Sequence, residues 1–362
     1  MLFWILTPAI VAGQLIKLGG VTVLDLAVIF LCLHGLVKLR FKLKKPPLFI
    51  ISALFFILIA LFSLTFTPLR LQPGEYVISF LYTVRFSAYI LLGWLIYSGG
   101  FQIKQTKKIL VYSGVTLAVL GLIQLVFLPD MRFLTAWGWD PHYFRAASTF
   151  LDPNFLGAFL VLTLLLVKNF RFLFAAIFIT LLLTFSRGAY LAFLVSFLTL
   201  SFFQKSVKLG LVTIMLFSGL MLGFFTYQNL VAVPRGINRE ESASFRFNTW
   251  QQGWQIFSQH PILGIGFNSY RFALKQYGLG DEKFLASHGS STNDSSLLYV
   301  AATTGVIGLG AFLFFLFSMI KIGNPILTAG LFGLIAQSIF ANNLFYPPIL
   351  LWMVLISSSP KK

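Results

Sequence analysis

Charge is scarce in this chain. Asp, Glu, Lys and Arg make up 10% of its 362 residues, against about 25% in a soluble domain. Cysteine is nearly missing as well. Cys32 stands alone in an apolar run, so no disulfide framework can form. There is no Walker motif, no G-x-S-x-G elbow, no dinucleotide fingerprint and no cluster of His and Cys at metal-ligand spacing. Those absences speak against ATP-driven transport and against a tight protein metal site. No long internal repeat is visible.

Apolar residues are what the chain has. They account for 58% of it, aromatics for 17%, and the mean hydropathy is +0.87. Runs near the ~20 residues that cross a bilayer recur throughout. The expected fold is all-α: a polytopic transmembrane helix bundle forming a single integral membrane domain over residues 1–362. About 12 segments are expected, near 2–17, 20–37, 47–67, 77–98, 108–128, 153–168, 172–185, 188–203, 209–227, 296–318, 325–343 and 345–358. The last pair also fits one re-entrant unit. The opening "MLFWILTPAIVAG" has no basic lead, so it reads as a first membrane segment rather than a signal peptide.

The net charge of +17 suggests nucleic acid at first sight, but its distribution speaks for a membrane. The basic stretch "KLRFKLKK" at 38–45 marks a cytoplasmic loop. Counting crossings from it, Lys104, Lys107, Lys108, Lys168, Arg171, Lys205, Lys208, Lys321, Lys361 and Lys362 all fall inside, and both termini are cytoplasmic. The alternate loops face outside, among them 129–152 and a long segment at 228–295 expected to hold short amphipathic helices. Nine of the ten acids fall outside, and Asp25 lies near the outer end of its helix. Inside loops carry 13 Lys and 2 Arg, and the other basic positions are 3 Lys and 9 Arg. Solubility of outer loops explains charge there but not the preference for arginine. A planar guanidinium matches phosphate, so the outer face looks built for an anion.

Five stretches carry that expectation. In "FSRGAY" (185–190), Arg187 interrupts two apolar segments at the membrane edge, where a cation is costly unless it snorkels or binds something. A plain tight turn is the competing reading. In 241–274, Arg246, Trp250, Trp254 and Phe257 share one face of a helix that could lie in the membrane interface, ended by Pro261 and followed by turns at Gly264 and Gly266. In "RAASTFLDPNFLGAFL" (145–160), Asp152 and Asn154 read chiefly as a helix start, and Arg145 is a weaker anion candidate. Arg85 lies deep in an apolar segment, either functional or in a structural ion pair. Finally, in "SHGSSTNDSSLLYVAATTGVIGLG" (287–310), a helix from about 293 puts Asp294, Leu298, Ala301, Gly305 and Gly308 on one face. Asp294 is then a helix cap or a base at the water–membrane boundary.

Taken together, the Arg85 segment, "STFLDPN", "FSRG", and "HPILGIG" followed by a polar stretch and "TTGVIG" resemble the O-antigen ligase and O-antigen polymerase-like superfamily of bacterial envelope proteins. The resemblance implies a metal-independent glycosyltransferase in the bacterial plasma (inner) membrane. It would take a glycan from a polyprenyl-diphosphate donor at the external side and transfer it to a hydroxyl on a glycan, lipid or protein acceptor, with loops 129–152 and 228–295 covering the active site. Its partners would be the lipid-linked donor, the acceptor and membrane lipids, with no nucleic acid. By the same resemblance, Arg187 and Arg246 contact the diphosphate, with Arg85 and Arg145 behind them. The family pattern expects His-Asn ahead of the final Gly-x-x-Gly. Counting back from Gly305 and Gly308 puts Asp294 and Ser295 there, six residues beyond His288. Either Asp294 or His288 is then the base, or the protein is an inactive relative. A transporter or flippase for an anionic lipid-linked solute, or a non-catalytic assembly partner, are the rival classes. A transporter would place charge near the bilayer midplane, where Arg85 is the deep exception.

Overall fold

The computed structural model describes residues 1–102, 105–167, 171–233 and 239–358. Lys104, Lys168, Arg235, Lys361 and Lys362 lie outside them. The helices run in chain order as α1 Leu2–Ala12, α2 Val23–Lys38, α3 Leu48–Thr65, α4 Pro73–Tyr97, α5 Thr106–Phe127, α6 Pro153–Leu164, α7 Arg171–Leu183, α8 Arg187–Gln204, α9 Val207–Tyr227, α10 Arg239–Gln259, α11 Tyr270–Gln276, α12 Glu282–Ala286, α13 Ser296–Ile320, α14 Pro325–Gln337 and α15 Pro347–Ser357. A two-stranded hairpin, β1 Lys17–Leu18 against β2 Val21–Thr22, joins α1 to α2 with Lys17 opposite Thr22.

The fold is all-α apart from that hairpin. Among the described residues, six helices are long and apolar enough to cross a membrane, and α1, α6, α7, α14 and α15 are apolar but shorter. Several expected segments are shorter than their apolar runs, two of them most. The first ends at Ala12 because the chain turns at Gly13 into the hairpin. The segment expected at 325–343 stops at Gln337, where residues 338–346 leave the helix to form part of a cavity wall. Apolar side chains on α3 and α9 point outward, Leu58, Phe62, Leu211, Met215 and Leu222 among them. Surface of that kind suits lipid contact. By contrast, α15 is buried along its whole length, packed among α4, α5, α6 and α14. A helix apolar on every side belongs in a core.

One helix is broken on purpose. Gly305 inside α13 has φ 66° and ψ −169°, a conformation open to glycine and strained for other residues. The ladder bonds lost there are replaced from outside the helix. Ile265 N donates to Ala302 O at 3.1 Å, Gly266 N to Thr303 O at 3.0 Å, and Val306 N to Pro261 O at 2.8 Å. Within an apolar surround every backbone group needs a partner, and the turn at 261–266 supplies them. A Cβ on Gly305 would lie 2.0 Å from Ile262 O, and one on Gly264 would lie 2.4 Å from the Thr304 amide nitrogen. The expected single face from Asp294 to Gly308 is therefore split at Gly305: Ala301 and Gly308 sit on two separate helical pieces. The turn's other side reaches α3, where Phe267 N donates to Ser63 Oγ at 3.2 Å.

Candidate functional site

A recess of about 330 Å³ opens where the hairpin, α4, the 137–155 stretch, α10, the 288–294 stretch and the 338–346 stretch meet. Its lining includes Lys17, Arg85, Asp140, Asp152, Arg246, His288 and Asp294. Residues from both ends of the chain thus face one cavity.

Asp294 is held, and it is not a cap. The cap of α13 is Ser295, whose hydroxyl accepts from Leu298 N at 3.4 Å. That leaves the Asp294 carboxylate available to the recess. Its Oδ2 accepts from Thr249 Oγ1 at 3.0 Å, and Thr249 is one turn beyond Arg246 on α10. The neighbouring Asn293 is fully buried. Its amide donates to Thr249 O and, at 3.0 Å, to Tyr270 Oη, while its Oδ1 accepts from Ser295 N at 2.9 Å. α10 can lie this close because Gly253 has no side chain; a Cβ would come 2.6 Å from Asn293 Nδ2. Asn293 therefore ties α10, α11 and the start of α13 together, and that tie fixes Asp294 beside Arg246.

His288 occupies the same recess against Trp139, with ring centroids 4.5 Å apart. The Lys17 ammonium stands 4.8 Å from the same Trp139 ring. Burial, then the nearby Lys17 and Arg271 charges, depresses the His288 pKa, which keeps the imidazole neutral at pH 7.

The four arginines expected to meet an anion are in different situations. Arg246 lines the recess. Arg85 lines it too, but its guanidinium is paired with Asp25 at 2.9 Å, donates to Gly20 O and lies over the Tyr82 ring. The ion-pair reading of Arg85 is the one the geometry supports. Arg145 is 7% exposed and donates to Thr184 O and Phe185 O. It holds the turn before α8 and does not line the recess. Arg187 is at the start of α8, over the Phe224 ring, and is not part of the lining either. Its turn is linked to the recess through Ser186 Oγ, which donates to Asn154 Oδ1 at 2.8 Å.

Three carboxylates share the recess. Asp152 caps α6 as the Asp-Pro-Asn sequence suggested, accepting from Asn154 N at 2.6 Å. It also faces the cavity with Asp140 and Asp294. Asp140 lies at the exposed cavity mouth, but the protein packed around its carboxyl takes away part of its water and pushes it up to about 6; Asp152 and Asp294 add to the rise, and Arg145 and Arg246 oppose it. Burial likewise raises Asp152, against its backbone donors and Arg145. Asp294, just ahead of α13, is raised by burial and lowered in part by Arg246 and Thr249. A carboxylate raised in this way is a better base near neutral pH. Among the described residues, no three of His, Cys, Asp and Glu converge to hold a metal ion.

Asp140, Asp152, Lys17, Thr249 and Asn293 were not singled out as site residues from sequence. Asp140 and Lys17 did carry a signal, as charges on the expected outer side.

The fold and the recess together define a helical membrane protein with a charged cavity between its polar and apolar parts. Residues 172–313 match the family model described as O-antigen ligase, so this part of the chain is similar to that family. That segment runs from α7 into α13 and contains Arg187, Arg246, His288 and Asp294. No curated protein matches the chain.

Proposed function

We propose that this protein is a polytopic glycosyltransferase of the O-antigen ligase or polymerase type, moving a glycan from a polyprenyl-diphosphate donor to a hydroxyl acceptor. The observation that carries it is that Asp294 and Arg246 line one recess, within the segment the family model matches. About 12 membrane segments, with the shorter apolar helices counted among them, cytoplasmic termini and a recess on the external side of the inner membrane complete the reading.

In this mechanism the acceptor O–H loses its proton to the Asp294 carboxylate. The acceptor oxygen attacks the anomeric carbon as the bond from that carbon to the diphosphate oxygen breaks. The bonding electrons leave with the diphosphate, and the product is inverted. Arg246 takes the charge growing on the leaving oxygens. Arg187 contacts the diphosphate from the adjoining turn, Arg145 positions that turn, and Arg85 holds a wall of the recess through Asp25. His288, neutral and against Trp139, shapes the acceptor side. The residues at hand supply base and counter-charge, so no cofactor is invoked.

The test is release of polyprenyl diphosphate from a labelled lipid-linked glycan by the purified protein. Release should require acceptor. Asp294→Ala should lose ~10²–10⁴ of the rate and Arg246→Ala ~10²–10³, while His288→Ala keeps most of it. Donor that binds but yields no carrier with any acceptor, or that is hydrolysed without transfer, sinks the proposal.

A further inference from the structure

One wall of the recess has no part in the chemistry above. It is the hairpin between α1 and α2, which contributes Gln14, Lys17, Gly20 and Thr22 to the lining and lies outside the segment matched by the family model. A two-stranded hairpin is marginal alone, but this one is anchored at both ends. At its base, Gln14 N donates to Thr149 O at 2.8 Å and Thr149 Oγ1 donates to Val11 O at 2.6 Å. At its far end, Thr22 and Asp25 form a capping box on α2. The Asp25 carboxylate also binds Arg85, which reaches back to Gly20 O. The half-buried Arg85–Asp25 pair thus spends its hydrogen bonds on fixing the hairpin.

What the hairpin presents is Lys17. Its ammonium is half-buried, stands over Trp139, and has no carboxylate within ion-pair distance among the described residues. Burial pulls its pKa down, the mark of a cation that has lost water without gaining an anion. The recess gives that cation a use. Asp140, Asp152 and Asp294 bring three carboxylates to the space where a diphosphate would sit, and Arg85 is already neutralised by Asp25. Within the recess lining, Arg246 alone would face both the diphosphate and the acids, since Arg187 lies outside the lining and reaches the diphosphate only from the adjoining turn. A second counter-charge is required, and Lys17 is the cation of the lining not yet spoken for.

We propose that Lys17 is a phosphate-binding residue that grips the leaving diphosphate together with Arg246, the hairpin and α10 acting as two jaws. This rests on the donor reading above. The same ammonium could instead meet a phosphate on the acceptor glycan, and the experiment separates the two sources.

Full-length protein in lipid nanodiscs is titrated with inorganic pyrophosphate by calorimetry. Lys17→Gln should weaken binding on the order of 10-fold or more, the scale of one charged hydrogen bond, and Lys17→Arg should restore most of it. Lys107→Gln, on the expected cytoplasmic side, should bind like wild type. In turnover, Lys17→Gln should raise KM for the lipid-linked donor with kcat little changed, and leave KM for a phosphate-free acceptor alone. If wild type binds pyrophosphate and Lys17→Gln binds it equally well, the Lys17 assignment is wrong while the donor reading stands. A rise in acceptor KM alone, with a phosphorylated acceptor, moves Lys17 to the acceptor and overturns the proposal. If wild type itself binds no pyrophosphate, the donor reading falls first.

Discussion

Asp140 illustrates how a single group sets the pH response. Its carboxyl is pushed up to about 6 in the folded protein from an ordinary value of 3.8. Between those values the folded state holds a proton that the unfolded state has released, so stability falls as pH rises through that window. Asp140→Asn removes that proton uptake. The variant's melting temperature should gain on wild type progressively between about pH 4 and pH 7, and a gap independent of pH would refute the assignment. At the same scale, the sequence showed Asp294 as either cap or base. Spacing alone does not decide between adjacent Asp and Ser residues at a helix start, because both cap well. The Ser295 bond to Leu298 N settles the cap and frees the acid. Asn293 left no trace in the sequence, since its role depends on Thr249 and Tyr270, residues far from it in the chain.

At the scale of elements, most helix positions were legible. Apolar run length, with Pro at the starts of α4, α6, α14 and α15 and polar caps such as Asp152 and Asn324, marks where helices begin. What was not legible is how elements dock. "HPILGIG" and "TTGVIG" stood out as glycine-bearing motifs, but a linear pattern does not reveal that one closes the broken hydrogen-bond ladder of the other. The hairpin at 17–22 escaped for a similar reason: it is short and was absorbed into flanking apolar runs. The docking makes a sharp prediction. Gly305→Ala would place a Cβ 2.0 Å from Ile262 O at φ 66°, costing about 1–3 kcal/mol in backbone strain alone before the clash. Gly310→Ala, with nothing within 4 Å of the added atom, should be tolerated. Thermal unfolding in detergent compares them, and equal melting temperatures would mean that the interlock contributes no stability.

At the scale of the molecule, the one-sided charges predict orientation. In a Cys32→Ser background, Thr135→Cys should react with a membrane-impermeant maleimide on intact cells, and Lys42→Cys only after lysis. The reverse pattern would put the recess on the cytoplasmic side and end the proposed role at the outer face. The overall architecture also bears on biosynthesis. Helix α15 is enclosed by α4, α5, α6 and α14, and every residue of those four leaves the ribosome before Pro347 does. Until α15 emerges, its neighbours surround an unfilled seat, and small residues such as Gly330 lack the packing that Trp352 later supplies. The bundle must therefore be assembled around a vacancy and sealed late, from within, by a segment too short to insert across the bilayer by itself.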